Sequence, residues 1–89
     1  MLKDRSTVIY EEVAKMLRDA YDSGETNREL VHAMRQLTSD PYFELLPKYF
    51  GEGLTIERLA EEYDVEVSTI TRNKKRLCLK IYELMEGLG

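Results

Sequence analysis

The side chains best suited to chemistry in this chain lie close together near its C-terminal end. Arginine can donate two parallel hydrogen bonds to a guanine edge or to a phosphate, asparagine can pair with adenine, and serine or threonine can reach either group. Residues of these types, with lysines among them, recur between positions 68 and 80: Ser68, Thr69, Arg72, Asn73, Lys75, Arg76 and Lys80. We predict that the first four read the bases of duplex DNA and that the last three contact its phosphates.

Other kinds of chemistry have less support in the sequence. The chain has one cysteine, Cys78, and one histidine, His32, which argues against an internal disulfide or a Cys/His metal site. We expect Cys78 to face the core and His32 to lie on the surface. Adjacent carboxylates such as Glu61 and Glu62 point in different helical directions and do not suit a catalytic pair. The sequence therefore predicts a binding protein without enzymatic activity, cofactor or metal.

The distribution of charge along the chain supports DNA binding, whereas the net charge does not. A formal net charge of −4 opposes DNA binding, since affinity for phosphates comes largely from Lys and Arg. Residues 67–82, however, contain five basic side chains and no acidic one, whereas residues 57–66 contain five acidic side chains and Arg58. Positive charge is thus concentrated on one segment.

Length and composition indicate one small folded domain. A chain of 89 residues with 43% hydrophobic and 34% charged residues can bury one core and keep a polar surface. No apolar run approaches the roughly 20 residues that span a bilayer. The first residues lead into an amphipathic stretch with Glu11 and Glu12, not into an apolar signal sequence. We therefore expect a cytoplasmic protein with no membrane partner.

The hydrophobic periodicity predicts an all-α fold of five helices. Apolar residues recur at helical spacing in five segments, approximately residues 7–21, 27–37, 42–50, 56–63 and 67–85. Thr26 and Glu29 predict a capping box at the start of the second helix, and Thr55 is predicted to cap the fourth. Asp40 and Pro41 suit the first positions of the third helix, in which Pro47 predicts a kink or break.

The last two segments have the layout of a helix-turn-helix. Ala60 occupies a position where two helices cross closely, because only a small side chain lets the backbones approach. Val65 fills the turn, and Ile70 anchors the second helix from beneath, so that its other side is open to the major groove. We predict a single domain in which a helical pair (residues 1–39) packs on this unit (residues 40–89), with a long recognition helix at its end.

Four stretches carry a resemblance to a known family: YFELLPKYF at 42–50, GEG at 51–53, LAE at 59–61 and VSTITRNKKRL at 67–77. With them, residues 42–84 resemble region 4 of bacterial sigma-70-type factors. They resemble more closely the small sigma-like regulators carried by phages and conjugative elements of Gram-positive bacteria. The resemblance implies sequence-specific duplex binding by the second helix of the pair, a supporting first helix, and a contact with RNA polymerase. It does not imply promoter opening.

Three residues depart from the pattern of that family. Asp64 stands where the turn usually has glycine, which is tolerable because Asp can adopt left-handed backbone angles. Glu66 replaces the usual Ser or Thr cap of the last helix and places negative charge near the phosphates. Lys74 interrupts the apolar series of that helix, so either its aliphatic stem packs with the charge directed outward or the helix rotates slightly.

The leading hypothesis is a sequence-specific transcription regulator that places its basic helix in the major groove of double-stranded DNA. The alternative is a protein-interaction module that docks on RNA polymerase or another transcription factor without binding DNA itself. The last helix also carries more apolar surface than a helix-turn-helix needs, at Leu79, Tyr82, Met85 and Leu88. We expect the N-terminal helices to cover this surface; a homodimer seam or a polymerase contact is the other use for it.

Overall fold

The computed structural model describes residues 4–87, which form four α-helices and one short π-helix. In chain order these are α1 (Arg5–Ser23), α2 (Arg28–Gln36), π1 (Leu46–Gly51), α3 (Ile56–Tyr63) and α4 (Val67–Glu86). No strand occurs within residues 4–87, and the predicted all-α fold of five helices is confirmed. In the same range, no helix has both the length and the apolar character needed to cross a membrane.

Side chains of the expected types cap α1 and α3. The Oδ1 atom of Asp4 accepts hydrogen bonds from the Ser6 hydroxyl at 2.7 Å and from the Thr7 amide at 2.8 Å. These bonds to the ionised carboxylate lower the pKa of Asp4 to about 2. At α3, the Thr55 hydroxyl accepts from the Arg58 amide at 3.1 Å, as the sequence predicts. Both helices therefore begin where a cap satisfies an otherwise free N–H group.

The prediction for the start of α2 is wrong by one residue. The capping box of Thr26 and Glu29 does not form. Instead Asn27 is the cap, and its Oδ1 accepts from the Leu30 amide at 2.7 Å. The reason is that asparagine is at least as good a cap as threonine, so the adjacent Asn27 takes the position.

The predicted helix at residues 42–50 is replaced by turns followed by π1. Residues 41–44 form turns, and helical geometry begins only at Leu45. Pro47 lies in the first turn of π1, where its missing N–H group is tolerated, so the expected break precedes Pro47. Asp40 caps the turns as predicted for a helix start: its Oδ1 accepts a backbone N–H two residues later at 2.9 Å.

One hydrophobic core joins all five helices. Helices α1 and α2 both pack against α4, α1 also packs against π1, and α3 packs against α4. Side chains without exposed surface come from every helix and include Val13, Leu17, Ala33, Leu46, Leu59, Ile70, Leu77 and Ile81. Cys78 belongs to this core as predicted, and burial raises the pKa of its thiol to about 12. The segments 1–39 and 40–89 thus share a single core over the residues that the structure describes.

Candidate nucleic-acid interface

Helix α4 is held by the core along one side and presents the opposite side to solvent. Ile70, Leu77 and Ile81 lie on the held side and have no exposed surface. Ser68 and Arg72, one turn apart, lie on the other side and are exposed. Within residues 4–87, neither side chain makes a hydrogen bond or an ion pair. Two of the predicted base-reading residues are therefore free to meet a ligand.

The turn between α3 and α4 has the geometry expected from the sequence. Asp64 adopts left-handed backbone angles (φ 56°, ψ 49°), which confirms that it takes the conformation favoured by glycine. The Val65 amide donates to the Ala60 carbonyl at 3.0 Å, and the half-buried Val65 packs on the core. Glu66 occupies the cap position of α4 without forming a side-chain capping bond. These contacts fix the direction in which α4 leaves the turn.

Three other predicted site residues are hydrogen-bonded to one another. The Asn73 side-chain amide donates to the Thr69 carbonyl at 2.8 Å, and the Arg76 Nε donates to Asn73 Oδ1 at 3.0 Å. The Arg76 Nη1 and Nη2 atoms donate to the two carboxylate oxygens of Asp40 at 2.9 and 3.0 Å. To use these same groups on a base or a phosphate, Asn73 and Arg76 would have to break these bonds.

Asp40 also belongs to this site, although its sequence context predicts only a helix cap. The loop between α2 and π1 brings its carboxylate to α4. The hydrogen bond from Arg76 holds the pKa of Asp40 below its usual value, and the bond to Asp40 raises the pKa of Arg76. The capping signal at Asp40 placed it at a turn. Its partner lies 36 residues away, and no local pattern indicates such a contact.

The two remaining predicted lysines differ in their surroundings. Lys75 is half-buried and close enough to Asp4 for their charges to interact. Lys80 is exposed, with its Nζ 3.6 Å from a carboxylate oxygen of Glu83. An exposed pair of this kind contributes little to stability and does not bind the lysine firmly. Glu83 and Glu86 follow Lys80, so the basic part of α4 ends there.

Lys74 faces inward at the position where the helical spacing calls for an apolar residue. Its Nζ lies 4.1 Å from the centre of the Tyr49 ring and 5.5 Å from that of Tyr10. Burial disfavours the charge of Lys74, but interactions with the two tyrosines outweigh this effect and raise its pKa. The charged end of Lys74 therefore contacts α1 and π1 and does not face solvent on the open side of α4. Among the described residues, Arg72 is the cation of α4 that has neither a charged nor an aromatic partner, whereas Lys75 has the charge of Asp4 nearby.

The neighbouring helix α3 carries the opposite charge. Glu57, Glu61 and Glu62 are exposed on it. Glu62 accepts from Lys48 at 2.8 Å and lies 3.3 Å from Arg58, while no ion pair is recorded for the other two among the described residues. A polyanion is therefore repelled by α3 and attracted to the basic half of α4.

A separate groove lies between α1, α2 and α4. Met16, Tyr82 and Met85 line its apolar part, and the carboxylates at its rim belong to Glu12, Glu29 and Glu86. Leu79, Tyr82 and Met85 are only half-buried, so the N-terminal helices cover part of the apolar surface predicted on α4. Leu88, the fourth residue of that surface, lies outside the described residues.

His32 is exposed on α2 and hydrogen-bonded to Gln36, which confirms its predicted surface position. Among residues 4–87, no three His, Cys, Asp or Glu side chains are grouped as a metal site requires.

Comparisons of the chain with models of protein families, with curated proteins and with solved structures find no match. The exposed side of α4 is consequently the basis for inferring a function.

Proposed function

We propose that this protein is a sequence-specific DNA-binding transcription regulator that inserts the N-terminal half of α4 into the major groove. The observation that carries the proposal is the exposed, unpaired guanidinium of Arg72 beside Ser68, on the side of α4 that the core leaves open. The major groove accepts an α-helix, and an arginine on that helix can donate two hydrogen bonds to a guanine edge.

In this proposal α3 and α4 are the two helices of a helix-turn-helix, with α4 as the recognition helix. Ser68, Thr69 and Arg72 are nearest the bases, because they lie in the first turns of α4. Lys75 contacts a phosphate, and helix α3 supports α4 from behind.

A single protein molecule should bind DNA with modest affinity, because α4 has few free cations. Each phosphate that a cation neutralises adds to the salt-dependent part of binding. A homodimer on two half-sites, or a joint complex with RNA polymerase, would strengthen it. The resemblance of residues 42–84 to sigma region 4 adds support. It also suggests a bacterial cytoplasmic regulator encoded on a phage or conjugative element.

The second candidate function is docking on RNA polymerase or another transcription factor without DNA binding. The groove lined by Met16, Tyr82 and Met85 favours it, because partly exposed apolar side chains are common where proteins associate. This function predicts that activity survives loss of Arg72 and Lys75 and is abolished by changes at Tyr82.

Duplex binding by charge variants distinguishes the two candidates. A duplex is selected from a randomised pool with the wild-type protein, and its affinity is measured by fluorescence anisotropy at low and moderate salt. We expect the double variant Arg72→Ala, Lys75→Ala to bind more weakly by about 1–3 kcal/mol, or roughly 5- to 150-fold, because a base contact and a phosphate contact are lost. The salt dependence of its binding should also be less steep.

A matched control removes the same charge elsewhere. Lys15 on α1 and Arg28 on α2 are both exposed, and the first turn of α2 lies beside the C-terminal end of α4, away from Arg72. The double variant Lys15→Ala, Arg28→Ala should bind within about twofold of wild type, because distant surface charges are screened. Absence of wild-type binding at low salt, or an equal loss in both double variants, contradicts the proposal.

A further inference from the structure

Three N–H groups of the Arg76 guanidinium donate hydrogen bonds within the protein. Its Nη1 and Nη2 atoms donate to Asp40 at 2.9 and 3.0 Å, and its Nε donates to Asn73 at 3.0 Å. This fork-to-carboxylate geometry is the one by which arginine also binds a phosphate. Asp40 thus occupies the place that a DNA phosphate would take.

Asp40 is itself held in position. Its Oδ1 also accepts from the Tyr42 amide at 2.9 Å, and the Tyr42 ring stacks on Tyr63 with ring centres 5.1 Å apart. The Asp40 side chain is 17% exposed, whereas that of Arg76 is 47% exposed. The carboxylate is therefore fixed by its loop, and Arg76 reaches toward it from the solvent side of α4.

We propose that Asp40 is a positioning residue that withholds Arg76 and Asn73 from DNA, an inference that rests on the proposed function. A phosphate contact through the same fork of Nη1 and Nη2 would require Arg76 to leave Asp40. That would place an unpaired carboxylate beside the DNA backbone, where like charges repel. The pair therefore removes one cation from the sequence-independent part of binding.

The consequence is weak attachment to random DNA. Phosphate contacts supply essentially all of the affinity for non-target DNA. Because Asp40 neutralises one cation of α4, the affinity of the protein for non-target sequences is lower. Binding then depends more on the base contacts of Ser68 and Arg72.

Asp40→Asn is the sharpest test, because asparagine keeps an oxygen for the Tyr42 amide and removes the negative charge. Affinity is measured by anisotropy on the selected duplex and on a scrambled duplex of equal length. We expect Asp40→Asn to bind both duplexes more tightly, by roughly three- to tenfold at low salt, with the slope of affinity against salt steeper by about 1. Asp40→Ser, which also keeps a capping oxygen, should do the same, and thermal unfolding monitors the fold of each variant.

A double-mutant cycle with Arg76→Ala assigns the gain to the released arginine. In the wild-type background Arg76→Ala leaves the Asp40 carboxylate unpaired, so we expect weaker binding with an unchanged slope of affinity against salt. In the Asp40→Asn background it should abolish both the gain and the steeper slope. Asp64→Asn controls for net charge: it removes one negative charge from the turn before α4 without touching Arg76, and it should give a smaller gain with no change of slope.

The outcomes separate this inference from the proposed function. Specific wild-type binding with no gain in Asp40→Asn, or a gain that persists without Arg76, overturns the role of Asp40 alone. A slope of affinity against salt that becomes less steep by about 1 on Arg76→Ala in the wild-type background overturns it as well, because Arg76 would then already contact a phosphate. Absence of duplex binding in every variant, Asp40→Asn included, overturns the proposed function and this inference together.

Discussion

Lys74 shows at the scale of one residue how a charged side chain takes a place in a mostly apolar helix face. Its ammonium group lies over the rings of Tyr49 and Tyr10, at 4.1 and 5.5 Å from their centres. A cation over a ring face is attracted by the ring quadrupole, and partial burial strengthens the attraction. Lys74 thereby connects α4 to both α1 and π1.

We predict that Lys74→Met lowers the free energy of unfolding by about 1 kcal/mol, because methionine keeps much of the aliphatic stem and loses the cation. Urea and thermal unfolding followed by circular dichroism measure this change, which corresponds to a Tm lower by roughly 4–8 °C. Lys75→Met is the matched control and should remain within about 0.5 kcal/mol of wild type. Equal stability of Lys74→Met and wild type would contradict the role given to the two tyrosines.

For individual residues, the sequence predicts the side of a helix on which each lies but not its distant partners. The helical spacing identified Lys74 as an exception, and Arg72 and Ser68 as residues of the exposed side. It did not reveal that Tyr10 and Tyr49 meet Lys74, or that Asp40 meets Arg76. Contacts between side chains far apart in the chain depend on how the helices pack, and periodicity within one helix carries no information about them.

At the scale of elements, the turn between α3 and α4 sets the direction of the proposed recognition helix. Asp64 is the one non-glycine residue of the described chain with positive φ, at 56°. Its amide donates to the Glu61 carbonyl at 3.2 Å, which ends α3. The left-handed conformation is tolerated by Asp and Asn, is easy for glycine, and is unfavourable for β-branched residues.

We predict that Asp64→Val destabilises the protein by about 1–2 kcal/mol and that Asp64→Gly is neutral or slightly stabilising. Asp64→Asn, which tolerates the same backbone angles, serves as the control for loss of charge. Chemical denaturation gives the stabilities. A valine variant as stable as the asparagine variant would show that the turn does not depend on the left-handed conformation.

Elements with strong local signals were predicted well, and those defined by tertiary contacts were not. Helices α1, α3 and α4 lie where the apolar spacing and the Thr55 cap placed them. The region from Asp40 to Leu45 forms turns instead of a helix. Asp40 binds Arg76 there, and the ring of Tyr42 stacks on Tyr63, so partners from α3 and α4 fix its backbone. Helical propensity is a local property and gives no information about those contacts.

At the scale of the whole molecule, the N-terminal helices and the proposed DNA-binding unit form one body. The radius of gyration over the described residues is 12.9 Å, close to the roughly 12 Å expected of a compact chain of this length. Because α1 and α2 pack on α4, the exposed side of α4 is supported from behind along its length. Acidic residues that contribute to the net charge of −4 are exposed on α3 and around the groove, and Glu66 lies at the start of α4.

Contact between duplex DNA and the N-terminal half of α4 can be observed residue by residue with NMR. Amide resonances of ¹⁵N-labelled protein are followed while the selected duplex is added. We predict that the changes are concentrated in residues 64–76 and that amides of Met16 and Met85 in the groove stay unchanged. Changes confined to the groove, or none at a saturating concentration of duplex, would contradict the claim.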